Sequence, residues 1–456
     1  MKTIIFPLKV IDTICGRQQY RKDIEYRLTK HCLCIPSEDG DLMYHTLTKA
    51  LLLIEPNDRR QDLQEVLVNN WFMVPLNFDE CKQVDGARKV ASLLKKDKKW
   101  RTSFTILTTT DCNARCFYCY EMGIQRYPMT PETAQDIGHY IVHACGGEKV
   151  KLSWFGGEPL YNAAVIDIIC RALQKNEVEY SSTLTSNGYY LDAQTARNAV
   201  KNWHVTTVQI TIDGTELVYN RTKAFTDKDE ESPYRRVLRN IESALDAGLE
   251  ICVRMNMDKS NADDLFLLAD ELGKHFQNRK GFFVHVVLLK QYVGHIHAFE
   301  SREKAECTRK ALIDKLDKMG FVRHDHLTRG LRLNQCMADN DTCEVILPDG
   351  RIEKCEHIND SQAVGSIYNP LRDETKIQEW KKIIYHSDCF SCELYPMCIN
   401  LALCPRISMG CDSLRRAEKT NRIKKLVMDA YVKTIYDQEG KTYEDQDELY
   451  IGGDQW

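Results

Sequence analysis

From Ser103 to Leu289 the sequence alternates six strand-like apolar runs with helical ones, a pattern that calls for a parallel sheet joined by crossover helices. Strands are expected at Phe104 to Thr109, Val150 to Phe155, Ser182 to Ser186, Val205 to Ile212, Glu250 to Met255 and Phe282 to Leu289. Helices are expected at Pro131 to Cys145, Ala163 to Lys175, Asp192 to Lys201, Tyr234 to Ala247 and Asn261 to His275, followed by Arg302 to Lys318. Six such units are too few for a complete eight-stranded barrel, so the fold class is α/β with a partial (β/α)6 TIM-like barrel over residues 103–320.

The flanks differ in character. Residues 1–100 read as a small N-terminal α+β domain. In it, His31 to Pro36 and Leu42 to Thr48 flank the turn signal Glu38-Asp39-Gly40-Asp41, with a helix at Asp58 to Asn70, a strand at Trp71 to Leu76 and a lysine-rich helix or linker at Ala87 to Trp100. Residues 330–415 are loop-rich and dense in cysteine, which suggests a cluster-binding domain in place of a large apolar core. A helix at Ser413 to Tyr436 and an acidic tail complete residues 416–456.

Charge and cysteine usage narrow the function. With 62 basic and 66 acidic residues, the formal charge of -4 gives no broad positive field for nucleic acid. No run of about 18 apolar residues is present to span a bilayer, so neither nucleic acid nor membrane is an expected partner and the expected compartment is the cytoplasm. In a reducing compartment, clustered cysteines point to metal or chemistry. Of 19 cysteines, three lie near residue 115 and eight between 336 and 411. The scattered remainder, Cys15, Cys32, Cys34, Cys81, Cys145, Cys170, Cys252 and Cys307, are expected to be buried small apolar residues.

The first cluster follows the first barrel strand, at the mouth where such folds place their chemistry. Its three thiolates, Cys112, Cys116 and Cys119, can hold three irons of a 4Fe-4S cluster and leave the fourth iron without a protein ligand. The spacing Cys112-x3-Cys116-x2-Cys119, with aromatic Tyr118 before the last cysteine, resembles the motif of the radical S-adenosylmethionine (SAM) superfamily. That resemblance implies that the open iron binds SAM and that reductive cleavage yields a 5'-deoxyadenosyl radical that abstracts a substrate hydrogen. It extends to Gly156-Gly157-Glu158-Pro159, where the glycines permit close approach and the carboxylate is expected to receive SAM's ammonium. Ser186 and Asn187 at the third strand's end and Asp213 at the fourth resemble elements lining the cofactor pocket, and Arg254 in the fifth strand is the expected partner of the SAM carboxylate.

The later cysteines form two series, Cys336, Cys343 and Cys355, then Cys389, Cys392, Cys398, Cys404 and Cys411. The turn Pro348-Asp349-Gly350 predicts a hairpin from Glu344 to Leu347 and Arg351 to Lys354. Eight thiolates suffice for two ligated 4Fe-4S clusters, although four-cysteine zinc sites use similar spacings. The arrangement resembles the SPASM extension of radical SAM enzymes that modify peptides. It implies one auxiliary cluster on Cys336, Cys343, Cys355 and Cys404 and another on Cys389, Cys392, Cys398 and Cys411, hence three clusters in all. One departure is visible: five residues separate Cys398 from Cys404 where the common pattern has three, which leaves the assignment of Cys404 and Cys411 open.

The N-terminal segment is similar to the winged-helix leader-recognition element of peptide-maturing enzymes, with a structural cap on the barrel as the alternative. The combined resemblance is to maturases of ribosomally made peptides such as the thioether-forming sactipeptide and ranthipeptide synthases. It implies a precursor peptide with a leader as partner, an external electron donor of the flavodoxin or ferredoxin type, and a cross-link that is a thioether, with carbon-carbon or carbon-oxygen bonds as the nearest variants. An anaerobic sulfatase maturase is the second enzyme reading. Those enzymes carry the first motif near the N-terminus and place aspartate after the Pro-Asp-Gly cysteine, whereas here the motif starts at residue 112 and Glu356, a candidate base, follows Cys355. A non-catalytic iron-sulfur electron carrier or peptide binder is the remaining class, and the open three-cysteine site argues against it.

Overall fold

The computed structural model describes residues 18–48, 50–55, 62–86, 100–227, 229–289, 297–323, 336–357, 363–395, 398, 401–404, 411 and 413–437, with side chains of the last segment from 416 to 432. The expected Ala87 to Trp100 segment up to residue 99, the start of the Asp58 to Asn70 helix and the tail beyond residue 437 lie outside these residues. The chain forms two units, one of Met1–Lys98, His324–Asp339 and Lys381–Trp456, the other of Lys99–Arg323 and Asn340–Trp380.

In the first unit β1 (Tyr26–Leu28) foreshadows a pairing made much later in the sequence. Strands β2 (Cys32–Ser37), β3 (Gly40–His45) and β4 (Leu51–Ile54) form an antiparallel sheet in the order β2-β3-β4. Ser37 pairs with Gly40 across the Glu38-Asp39 turn, so the expected hairpin forms. β4 escaped the sequence reading because Leu-Leu-Leu-Ile has no alternation to mark it. β5 (Met73–Pro75) pairs with β1, shorter than the expected Trp71 to Leu76 because Trp71 takes a left-handed φ of 65°. Both faces of the three-stranded sheet are covered. Met43, Ala50 and Leu52 pack on Leu67 of helix Leu63–Asn69 and on Phe72, while Leu33, Ile35, Leu42, Tyr44, Leu51 and Leu53 pack on Val427 and Tyr431 of helix Ser413–Asp437.

The second unit carries β6 (Ser103–Leu107), β7 (Val150–Phe155), β8 (Tyr180–Ser186), β9 (Val205–Thr211), β10 (Glu250–Met257) and β11 (Phe282–Leu288), all parallel, each paired with the next in sequence. Helices Pro131–Cys145, Ala163–Lys175, Ala193–Lys201, Pro233–Asp246, Ala262–Phe276 and Arg302–Lys318 stand within one or two residues of their expected bounds. Side-chain caps set the starts of three of them: Thr130, Asp192 and Ser301 accept from the N–H groups of Thr133, Thr195 and Lys304 at 3.1, 2.8 and 3.1 Å. Alternate strand residues such as Phe104, Ile106, Leu152, Trp154, Val208, Ile210, Ile251 and Val253 form one core with the helices. The opposite face carries Thr105, Ser153, Thr183, Gln209, Cys252, Arg254 and His285, so the inner side of the partial barrel is polar.

The sheet reaches nine strands because β12 (Cys343–Ile346) pairs in parallel with β6, and β13 (Arg351–Glu353) and β14 (Gly365–Ser366) follow. The hairpin expected around Pro348-Asp349-Gly350 is therefore the sheet's far margin. Glu344 anchors it: buried, it accepts from Tyr140 Oη at 2.6 Å and pairs with Arg101 at 3.3 Å and Arg372 at 3.6 Å.

Replacing Val427, fully buried against the three-stranded sheet, by aspartate places an unpaired carboxylate there and should cost at least ~3 kcal/mol. Hydrogen exchange should accelerate in β2 to β4 and stay unchanged in β6 to β11.

Candidate functional site

The segment between β6 and helix Pro131–Cys145 is a long loop carrying Cys112, Cys116 and Cys119, and backbone and polar contacts hold it. The end of β7 supports it from below. Gly157 N–H donates to Thr109 O at 3.0 Å and Glu158 N–H to Asp111 O at 2.9 Å. A Cβ on Gly156, whose φ is 123°, would overlap the Thr109 carbonyl oxygen, and one on Gly157 would overlap that of Asp111. The two glycines thus let β7 lie directly under the cysteine loop.

Glu158 is fully buried. Its Oε1 accepts from Ser186 Oγ at 2.8 Å and Leu160 N–H at 3.0 Å, and its Oε2 from Asn187 N–H at 2.7 Å. An ionised carboxylate has about four acceptor sites, so one further donor can be received. Burial pushes its carboxyl up to about 7, against the opposing hydrogen bonds from Asn187, Ser186 and Leu160. Asn187 continues the chain of contacts, donating Nδ2 to Asn113 Oδ1 at 2.8 Å and lying 3.8 Å from Cys112 Sγ. Asn113 in turn donates to Asp227 at 2.6 Å.

A second network holds the other end of the loop. Asp213, fully buried just beyond β9, accepts from Tyr118 Oη, from Lys223 Nζ at 3.0 Å and from Asn256 N–H at 3.0 Å. Asn256 Nδ2 reaches Tyr118 Oη at 3.2 Å, and Arg254 Nε donates to Asn256 Oδ1 at 2.9 Å. Burial alone would lower the Lys223 ammonium, but Asp213 and then Cys116 more than offset it, so it is held protonated.

The expected residues Tyr118, Gly156, Gly157, Glu158, Ser186, Asn187 and Asp213 are therefore in contact with the cysteine loop or with one another, and Arg254 joins through Asn256. Lys223, Asn113 and Asn256 were not singled out in the sequence. Lys223 ends helix Glu216–Lys223, ten residues past Asp213, with no motif to mark it; the one usable signal was that a buried aspartate needs a counter-charge.

Cys343 and Cys355 belong to the barrel unit and are buried, and Cys355 Sγ is 3.7 Å from Glu356 Oε2. The Tyr120 ring lies 4.4 Å from that of His357, and its hydroxyl feels Glu121, Glu356, Cys119 and Cys355. Glu356 thus stands near the end of the first cysteine loop. Cys336, Cys389, Cys392, Cys398, Cys404 and Cys411 belong to the other unit, where Lys419 Nζ lies 3.1 Å from Cys398 Sγ and Leu394 N–H 3.4 Å from Cys392 Sγ.

The donor set of the first loop fits a 4Fe-4S cluster. Burial pushes Cys112 up to about 12 and Cys119 up to about 11, and in both cases neighbouring thiols add to the rise. The Ala114 N–H approaches Cys112 Sγ at 3.3 Å, as donors do around a sulfur that carries charge. Among the described residues no three His, Cys, Asp or Glu side chains converge as for a single ion. A four-iron cluster takes each thiolate on a different iron, so its ligands need not meet at one point.

Residues 106–271 match the family model described as the Radical SAM superfamily. Over 149 residues the chain is 30% identical to a probable GTP 3',8-cyclase of Methanococcus maripaludis, covering 32% of this chain and 46% of that protein, so it spans about half the length of the curated relative. By fold it is similar to native anSMEcpe with bound AdoMet (TM-score 0.53, 15% identity, 74% of this chain and 100% of that one). It is also similar to Streptococcus suis SuiB bound to precursor peptide SuiA (TM-score 0.51, 14% identity, 82% and 94%).

Two outcomes are expected from this geometry. Gly157→Ala should push the loop off β7, so that the variant keeps its circular dichroism but loses most of its iron on reconstitution. Burial pushes the Glu158 carboxyl up to about 7 in the folded state from an ordinary 4.5, so the folded state holds an extra proton between these values. Stability present below 4.5 is then lost as pH rises through 7. Glu158→Gln cannot ionise, so its Tm should fall less than the parent's from about pH 5 to about pH 8.

Proposed function

We propose that this chain is a radical SAM enzyme acting on a ribosomally made precursor peptide. The observation that carries the reading is the half-buried, doubly anchored loop of Cys112, Cys116 and Cys119 at the C-terminal ends of the barrel strands. A cluster held there would supply one electron to SAM, bound at the open iron, and generate the radical. This chain's own residues orient the loop: Glu158 and Asn187 at one end, Asp213, Lys223 and Asn256 at the other. Arg254 is the proposed partner of the SAM carboxylate, and the remaining acceptor site of Glu158 that of its ammonium.

A peptide substrate is favoured over a nucleotide by what surrounds the barrel. The likeness to the cyclase of M. maripaludis covers only a third of the chain. The likeness in fold to SuiB, solved with a precursor peptide, extends over 82% of it. Function resides in sites grafted on a shared fold, so the residues outside the common barrel select the substrate. We assign leader recognition to residues 1–100, two auxiliary 4Fe-4S clusters to the eight later cysteines, and reduction to an external flavodoxin or ferredoxin. The product we assign is a cross-link, a thioether first. Forming it removes one hydrogen atom from carbon, a proton from the thiol and one further electron, which an auxiliary cluster would accept; Glu356 is the proposed base. Formylglycine formation, as by an anaerobic sulfatase maturase, is the second reading.

Anaerobically reconstituted protein given SAM and dithionite should release 5'-deoxyadenosine, measured by liquid chromatography. Cys116→Ala should reduce that release to background. A parent protein that releases none would end the enzyme reading.

A further inference from the structure

Lys223 is 3% exposed, the least accessible ammonium in the barrel among the described residues. Two bonds tie it to the cysteine loop. Its Nζ lies 3.0 Å from the hydroxyl of Tyr118, the residue before Cys119 in the loop, and its carbonyl accepts the Arg115 N–H at 2.7 Å. Asp213, 3.0 Å away, prevents the ammonium from swinging out, and Asp213 is itself fixed by the Asn256 N–H, while Asn261 Nδ2 holds the Asp213 carbonyl at 2.9 Å. Tyr219 closes the other side, with Nζ 5.9 Å from its ring centre.

A buried ion pair is by itself weak evidence of function, since its desolvation can exceed its attraction. What separates this pair from a structural one is its neighbour. Lys223 holds the loop on both sides of Cys116, its carbonyl on the Arg115 N–H and its ammonium on the Tyr118 hydroxyl, so a fixed positive charge stands against the stretch that carries that sulfur. An electron entering a cluster adds negative charge, and a fixed cation nearby, in a poorly solvated site, favours the reduced form.

We propose that Lys223, anchored by Asp213, is a positioning residue that fixes a positive charge beside Cys116 and so sets the potential at which the cluster on Cys112, Cys116 and Cys119 accepts one electron from an external donor. This rests on the triad carrying a cluster, as argued above.

The test is a redox titration of reconstituted full-length protein followed by electron paramagnetic resonance, using the signal that SAM perturbs to single out this cluster. Lys223→Met should make reduction at least about tenfold less favourable, a midpoint ~59 mV more negative. Lys223→Arg should stay near the parent. Because Lys223→Met leaves Asp213 unpaired, the double variant Asp213→Asn/Lys223→Met removes both charges and should shift the midpoint in the same direction by less. An unchanged midpoint in the double variant at parental iron content, or an arginine variant shifted as far as methionine, would overturn the proposal. A parent without any SAM-sensitive signal, or a Cys116→Ala variant that keeps one, would instead overturn the triad assignment.

Discussion

The loop from residue 108 to 130 has no helix or strand of its own to hold three cysteines in place, and the structure depends on the buried polar contacts that replace them. Glu158 gathers Ser186, Leu160 and Asn187, and Asn187 passes the constraint to Asn113 and Cys112. Asp213 gathers Lys223, Asn256 and Tyr118. Each carboxylate sits just past a different strand end, so the sheet's spacing becomes the loop's geometry. Buried polar groups left unpaired cost more than they return, so such a network is either complete or absent.

The barrel was legible because local signals agreed: apolar runs of strand length, capped amphipathic helices and glycine at turns. All six parallel strands and the six helices around them stand where periodicity puts them. Bounds moved where tertiary contacts override pattern. β6 stops at Leu107, and Thr109 instead bridges to Pro128 on the returning loop. The pairing of β12 with β6 had no local signal at all, because 4 residues cannot announce a partner about 240 positions earlier.

The site was legible to the extent that a motif pointed at it. The cysteines, the two glycines, Glu158 and Asp213 are found by spacing and position. Asn113 lies inside the motif, yet its role is visible only when Asn187 and Asp227 are seen on either side of its amide. The glycines gain a reason that sequence could not supply: a side chain on either would strike the backbone carbonyl of the cysteine loop itself. Their freedom serves the packing of one backbone on another, which precedes any approach of a cofactor.

Charge explains why the site suits iron. Within it lie two buried carboxylates, Glu158 and Asp213, one buried ammonium, Lys223, and three thiols. Ionising the thiols without a cation would place several negative charges in a poorly solvated cavity, and burial together with mutual repulsion accordingly holds Cys112 and Cys119 as neutral thiols. Ferrous and ferric ions reverse that balance, because a coordinated thiol loses its proton outright. Lys223 then has a second effect. With the cluster absent it balances Asp213, and with the cluster present it also opposes the charge that each added electron brings, so the same ammonium serves the fold in one state and the chemistry in the other.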